Sequence, residues 1–254
     1  MTDQVGDGAS QPRSALVTGA SRGIGRAIAE QLAAAGLNLT LSGRDIGTLE
    51  TLARDLARTG RDIQVAVADM AAEQDVRGLA RRHADRFSGV DMLVLCAGVG
   101  TSGPIADYPM RRFDRQIAVN LRAPFVLVQE CLPLLRRTAA RQPGRGARIA
   151  AISSITGVVS EAGLAAYGAT KAGLISLCQS VNVEESASGV SATAISPGYV
   201  DTDMSTWVHD RIDPAEMIEP ADIAELVVAL TRLSSRAVVP SMIVSRPGET
   251  QWRA

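Results

Sequence analysis

A short apolar run, Ala15–Thr18, gives way to Gly19-Ala20-Ser21-Arg22-Gly23-Ile24-Gly25 and then to Arg26-Ala27-Ile28-Ala29-Glu30-Gln31-Leu32, whose apolar residues recur with helical spacing. Strand, glycine-rich turn and helix in that order form half of a parallel crossover, which commits the chain to an α/β fold. Each glycine has a use in such a turn. One bends the chain sharply, one lets backbone approach a pyrophosphate, and one lets the helix pack closely, while the helix N-terminus presents oriented N–H groups to an anion. A turn that is merely rich in glycine would look similar. The flanking strand and helix favour a dinucleotide site on Gly19, Ser21, Arg22, Gly23, Ile24 and Gly25.

The rest of the chain continues the alternation. Apolar runs at Ala15–Thr18, Leu39–Ser42, Ile63–Ala68, Met92–Cys96, Arg148–Ser153, Ser191–Ser196 and Val238–Val244 read as seven strands. Helical periodicity fills Gly25–Ala35, Ile46–Arg58, Glu73–Phe87, Arg112–Arg136, Ala169–Glu185 and Ala221–Leu233. The expectation is a Rossmann-like, doubly wound, mainly seven-stranded parallel sheet flanked by helices, in a single domain over residues 13–254 after a flexible N-terminal tail, residues 1–12. The helices around Ala118–Val128 and Tyr167–Glu185 are apolar or small over much of their circumference, so a homo-oligomer, a dimer or tetramer, is expected.

Charge and composition remove several function classes. With 26 basic against 27 acidic side chains the formal net charge is −1, which favours neither nucleic acid nor an anionic membrane as a partner. Residues 1–13 lack the apolar core of a secretory signal, and no uninterrupted apolar run approaches the roughly 20 residues of a membrane span, so a cytoplasmic protein is expected. Cys96, Cys131 and Cys178 show no metal-ligand spacing and His83 and His209 stand apart, so no metal site is expected.

After the second strand comes Ser42-Gly43-Arg44-Asp45. An NAD site would normally place a carboxylate on the ribose 2′-hydroxyl near this point, whereas an arginine accommodates a 2′-phosphate. Gly43 stands where the acid is sought and Arg44 follows it, with Arg22 able to join from the glycine loop. NADP(H) is therefore favoured over NAD(H), and Asp45 is read as the cap of the next helix. Asp69 and Met70 after the third strand, with Ala97 and Gly98 after the fourth, would line the adenine side.

Tyr167-Gly168-Ala169-Thr170-Lys171 sets a phenol and an ammonium four residues apart, on one helix face. A lysine so placed would pull the phenol below its reference pKa of about 10, toward the range of proton transfer. Such a pair arises by chance in many helices. Here, however, all but one of the 26 basic residues are arginine and Lys171 is the exception, so a specific need for an ammonium is indicated.

Thr18 ahead of Gly-x-x-x-Gly-x-Gly, together with Tyr-x-x-x-Lys, resembles the short-chain dehydrogenase/reductase family. The resemblance runs in order from about Ser14 to Val244. It implies catalytic roles for Ser154, thirteen residues before Tyr167, and for Asn120 in Ala118-Val119-Asn120-Leu121. It also implies a cofactor turn at Ser196-Pro197-Gly198-Tyr199-Val200-Asp201-Thr202, with Pro197, Gly198, Val200 and Thr202 toward the nicotinamide. Where the family ends its fourth strand in Asn-Asn-Ala-Gly, this chain has Leu95-Cys96-Ala97-Gly98.

In the implied reaction a ketone and a secondary alcohol are interconverted by NADP(H). Tyr167 moves the proton, Lys171 lowers its pKa and holds ribose hydroxyls, Ser154 bonds the reacting oxygen, and Asn120 supports a proton path. Residues 99–107, 155–166 and 199–217, with Val158, Val159, Tyr199, Met204 and Trp207, would form the substrate side, and small or medium apolar ketones are the default. The runner-up is a 3-oxoacyl reductase acting on carrier-bound chains, with Arg136 and Arg137 as a basic dock. A rival of another class, a non-catalytic NADP-binding sensor or scaffold, has no need of a complete Asn120, Ser154, Tyr167 and Lys171 set.

Overall fold

The computed structural model describes residues 12–248. Of the expected N-terminal tail, all but Pro12 lies outside them. Seven strands, β1 (Ser14–Thr18), β2 (Asn38–Gly43), β3 (Ile63–Val67), β4 (Met92–Leu95), β5 (Ala147–Ile152), β6 (Val190–Pro197) and β7 (Ser241–Val244), form one sheet in the order β3-β2-β1-β4-β5-β6-β7. Every pairing is parallel. The order reverses between β1 and β4, and in open α/β sheets the crevice beyond the strand ends at such a point is where ligands bind.

Alternation along the strands explains the two helical layers. Leu16, Leu93, Ile149 and Ala192 face α3 (Glu73–Arg86), α5 (Ala123–Arg141) and α6 (Ala165–Glu185), burying Leu79, Leu127, Cys131, Leu174 and Cys178. Their neighbours Ala15, Val17, Met92, Val94 and Ala150 face the other way, onto Ile28 and Leu32 of α1 (Gly23–Ala34), Leu49 and Leu52 of α2 (Ile46–Ala57), and Ile223 and Val227 of α7 (Pro220–Leu230). A period of two on a sheet covered on both sides yields the near-continuous apolar strands seen in the sequence.

Three local differences have physical causes. The last strand begins at Ser241 instead of Val238. The buried guanidinium of Arg148 on β5 draws the carbonyls of Leu233, Ser234 and Ala237 onto itself, and Pro240 has no N–H for a ladder. The expected helix Arg112–Arg136 is divided: α4 (Met110–Ile117) passes through a π-helical turn, Ala118–Arg122, into α5. Finally, the stretch Met110–Arg141 is long and apolar enough to cross a membrane by length and composition. Val119, Ala123, Val126, Leu127, Cys131 and Leu135 of that stretch are buried in the core beneath β4 and β5.

Candidate active site

The glycine turn is held by contacts that only glycine permits. Gly19 has φ +68°, and a Cβ there would stand 2.9 Å from the Ala97 backbone; a Cβ on Gly25 would stand 2.1 Å from the Gly19 carbonyl oxygen. Gly23, φ +52°, faces the Thr202 methyl, so the β1–α1 turn and the turn after β6 close on one another. The Thr18 hydroxyl donates to the Val94 carbonyl at 3.1 Å and accepts the N–H groups of Cys96 and Ala97 at 3.0 and 3.2 Å. Thr18 thereby ties the end of β4, where Leu95 and Cys96 offer no amide side chains, to the end of β1.

Above these strand ends lies a cavity of about 650 Å³. Gly19, Ser21, Arg22, Gly23, Ile24, Gly25, Arg44, Asp69, Met70, Ala97 and Gly98 line it, as do Ser154, Tyr167, Lys171, Pro197, Gly198, Val200 and Thr202. Of the catalytic and cofactor-binding residues singled out from sequence, Asn120 alone is outside this lining. Its carboxamide is occupied: Oδ1 accepts the Val99 N–H at 2.9 Å, and Nδ2 donates to the Val99 carbonyl at 2.8 Å and to the Thr170 hydroxyl at 3.1 Å. The Asn120 side chain therefore braces the π-helical turn, the irregular segment after β4 and α6 against one another.

Ser154, Tyr167 and Lys171 meet in the wall of the cavity. Ser154 caps the short 3-10 turn Ile155–Gly157, accepting from the Thr156 N–H, while the Ser153 hydroxyl is spent on the Lys171 carbonyl. The buried Lys171 donates from Nζ to the Ile152 carbonyl at 2.8 Å, and its ammonium lies 5.5 Å from the centre of the Tyr167 ring. Burial pushes the Tyr167 phenol up to about 12, with the Ser154 hydroxyl pulling the other way. This reverses the expectation that Lys171 depresses it. Desolvation is the largest cause of the shift, and burial also brings the Lys171 amine down to about 8.

On the side of β2, Arg44 is exposed and borders the cavity, while Asp45 caps α2 by accepting from the Thr48 N–H at 3.0 Å. That bond holds the Asp45 carboxyl below the usual carboxylate range and commits it to the cap. Arg22 is paired with Asp203 at 2.9 Å on the surface. A glycine cradle that a Cβ would fill and, at the end of β2, a guanidinium with no ion-pair partner among the described residues fit a dinucleotide bearing a 2′-phosphate.

The cavity also takes in Arg112, Arg115 and Glu161, none of which carries a motif that would mark it in sequence. Tyr199, Met204 and Trp207 line it as expected for the substrate side, whereas Val158 and Val159 do not. Arg136, considered as a carrier dock, forms a two-pronged ion pair with Glu185.

The family model for short chain dehydrogenases matches residues 13–212. The chain is 34% identical to an uncharacterised oxidoreductase of Staphylococcus epidermidis over 87% of its own length and 91% of that protein's. It is 32% identical to a 3-oxoacyl-[acyl-carrier-protein] reductase of Staphylococcus aureus, over 79% of each. Among solved structures, an alcohol dehydrogenase of the archaeon Thermococcus sibiricus complexed with 5-hydroxy-NADP superimposes with a TM-score of 0.84 at 27% identity, over 95% of this chain and 99% of that one.

Proposed function

The chain belongs to the short-chain dehydrogenase family and is an oxidoreductase, and from that premise we propose that it is an NADP(H)-dependent enzyme interconverting a ketone and a secondary alcohol. The observation that carries this reading is the meeting of Ser154, Tyr167 and Lys171 in the same cavity as the glycine turn and Arg44. Gly19, Gly23 and Gly25 would hold the pyrophosphate against the N-terminus of α1, and Arg44, joined by Arg22, the 2′-phosphate. NADPH bound there supplies the hydride for reduction, and NADP⁺ accepts it in the reverse direction.

The protein's own part is geometry and the proton. With its pKa near 12, Tyr167 is protonated at neutral pH and is ready to act as the acid. In reduction its O–H proton passes to the carbonyl oxygen as the carbonyl carbon gains hydride, leaving a phenolate that the Lys171 ammonium stabilises. Ser154 donates a hydrogen bond to the same oxygen. Asn120 acts as a positioning residue through Val99 and Thr170. A homo-oligomer belongs to the same reading, with the exposed Phe125 of α5 and Val183 of α6 as apolar positions for a second copy to cover.

A 3-oxoacyl chain on a carrier protein is the second reading, favoured by the similarity to the Staphylococcus aureus reductase. NADPH absorbance followed against simple ketones and against 3-oxoacyl thioesters tests both. Oxidation of NADPH, faster than that of NADH, with at least one carbonyl compound is expected. No oxidation with any of them by protein that binds NADPH would favour a sensor.

A further inference from the structure

Past Ser154 and Tyr167 the cavity runs by Glu161 and Tyr199, and both residues also line an adjoining polar recess of about 450 Å³, beside Arg211 and Glu216. Glu161 stands in the turn leading to α6, six residues before Tyr167, so the backbone that delivers the phenol also delivers this carboxylate. Its Oε1 accepts the Tyr199 O–H at 3.0 Å. Its Oε2 is shut off from solvent and accepts no hydrogen bond from any described residue. Tyr199 is held in turn by the Trp207 ring, 6.0 Å away edge to face, over which the Arg211 guanidinium sits at 5.2 Å.

A carboxylate oxygen removed from water with no donor is a cost that an incoming donor removes. The terminal torsion of glutamate is broad and two-fold, so either oxygen can be turned to a group entering the cavity. An alkyl ketone leaves that oxygen unpaired, and a substrate carboxylate set against Glu161 would meet like charge, while the Arg211 and Arg246 side chains that line the same recess give Oε2 no hydrogen bond. Resting on the carbonyl-reductase reading, we propose that Glu161, held by Tyr199, is a specificity-determining residue and that the substrate carries a hydroxyl group remote from its reacting carbonyl. The enzyme is then selective for hydroxyketones and the corresponding diols over the apolar ketones expected from sequence.

The test uses methyl ketones with a terminal hydroxyl two, three or four methylenes from the carbonyl, each paired with the ketone in which methyl replaces that hydroxyl. For at least one length, kcat/KM with NADPH should favour the hydroxyl compound by at least about tenfold, since a site built around a hydrogen bond rejects the analogue lacking it. Glu161→Leu should bring that ratio to about one, Glu161→Gln should keep most of it, and Tyr199→Phe should reduce it several-fold, by roughly the loss of one hydrogen bond. Ratios near one at all three lengths in the unaltered protein overturn the proposal without any variant. So does a ratio unchanged in Glu161→Leu or, should that variant not fold, in Tyr199→Phe. If no ketone in the set is reduced, the carbonyl-reductase reading fails for these compounds, and calorimetric titration of the same pairs with NADPH present decides the selectivity. Tighter binding of a hydroxyl compound supports the Glu161 contact; equal affinities, or no binding of either member, overturn it.

Discussion

The ammonium of Lys171 lies 5.5 Å from the centre of the Tyr167 ring and gives a hydrogen bond to the Ile152 carbonyl at 2.8 Å. Lysine and tyrosine are thus neighbours held by different partners. Burial drives their ionisations apart, the phenol up to about 12 and the amine down to about 8. Near neutral pH the pair is a neutral acid beside a cation. The first of the two to change charge as pH rises is the lysine.

That order sets a pH dependence. The value of kcat/KM for NADPH, which reports the free protein, should fall on the alkaline side with a midpoint near 8, where Lys171 loses its proton. Lys171→Arg keeps its charge throughout, so it should lower the rate, through the bulk of its head group, and abolish this limb. An unaltered protein whose kcat/KM stays flat through that range would remove Lys171 from the titration.

Cofactor choice should reside in Arg44. Arg44→Asp is expected to weaken NADP binding by about ten- to a hundredfold, the worth of one charge-assisted contact, with little loss for NAD. Asp203→Asn, which releases Arg22 from an exposed ion pair worth at most about 1 kcal/mol, should tighten NADP binding up to a few-fold. Fluorescence titration of both cofactors checks this, and an equal loss for NAD and NADP in Arg44→Asp would refute the 2′-phosphate assignment.

Away from the site, His83 is fully buried, with its ring bonded to the Thr40 hydroxyl at 2.8 Å and set near the Gly89 carbonyl at 3.0 Å. Burial depresses its pKa from 6.5 to about 4. Below the unfolded value the unfolded chain binds a proton that the native one refuses, so this contribution to stability is complete above about 6.5 and is lost as pH falls toward 4. The loss amounts to about 3 kcal/mol over that window. Asp91, whose carboxyl burial raises, acts with the opposite sign, so the comparison is between the protein and His83→Gln. Urea midpoints at about pH 7 and about pH 5 should drop less in the variant; equal drops would mean that another group governs the acid limb.

What was legible in the sequence follows from how local each feature is. The glycine turn, the Tyr167–Lys171 spacing and the alternating apolar runs are written in neighbouring residues, and each lies where its pattern puts it. Asp45 could be read as a cap because capping needs only the next turn. The direction of the Tyr167 shift could not be read, since it depends on how much of the fold closes over the phenol. Asn120 stood out as a polar residue in an apolar helix, but its partners Val99 and Thr170 come from other elements, so the bracing contacts of its side chain could not be read. Arg22 and Asp203, and Glu161 and Tyr199, are pairs made by the sheet's order, their partners 181 and 38 positions apart in the chain.

Substitution of Tyr167 by phenylalanine tests the central claim most directly, because it removes one hydroxyl and little else. If Tyr167 gives its proton to the carbonyl oxygen, ketone reduction by Tyr167→Phe should fall by about a hundredfold or more, with the NADPH dissociation constant within about twofold of the unaltered protein's. A variant that binds NADPH normally and still turns over its best ketone at a tenth or more of the original rate would contradict the assignment of Tyr167 as the acid.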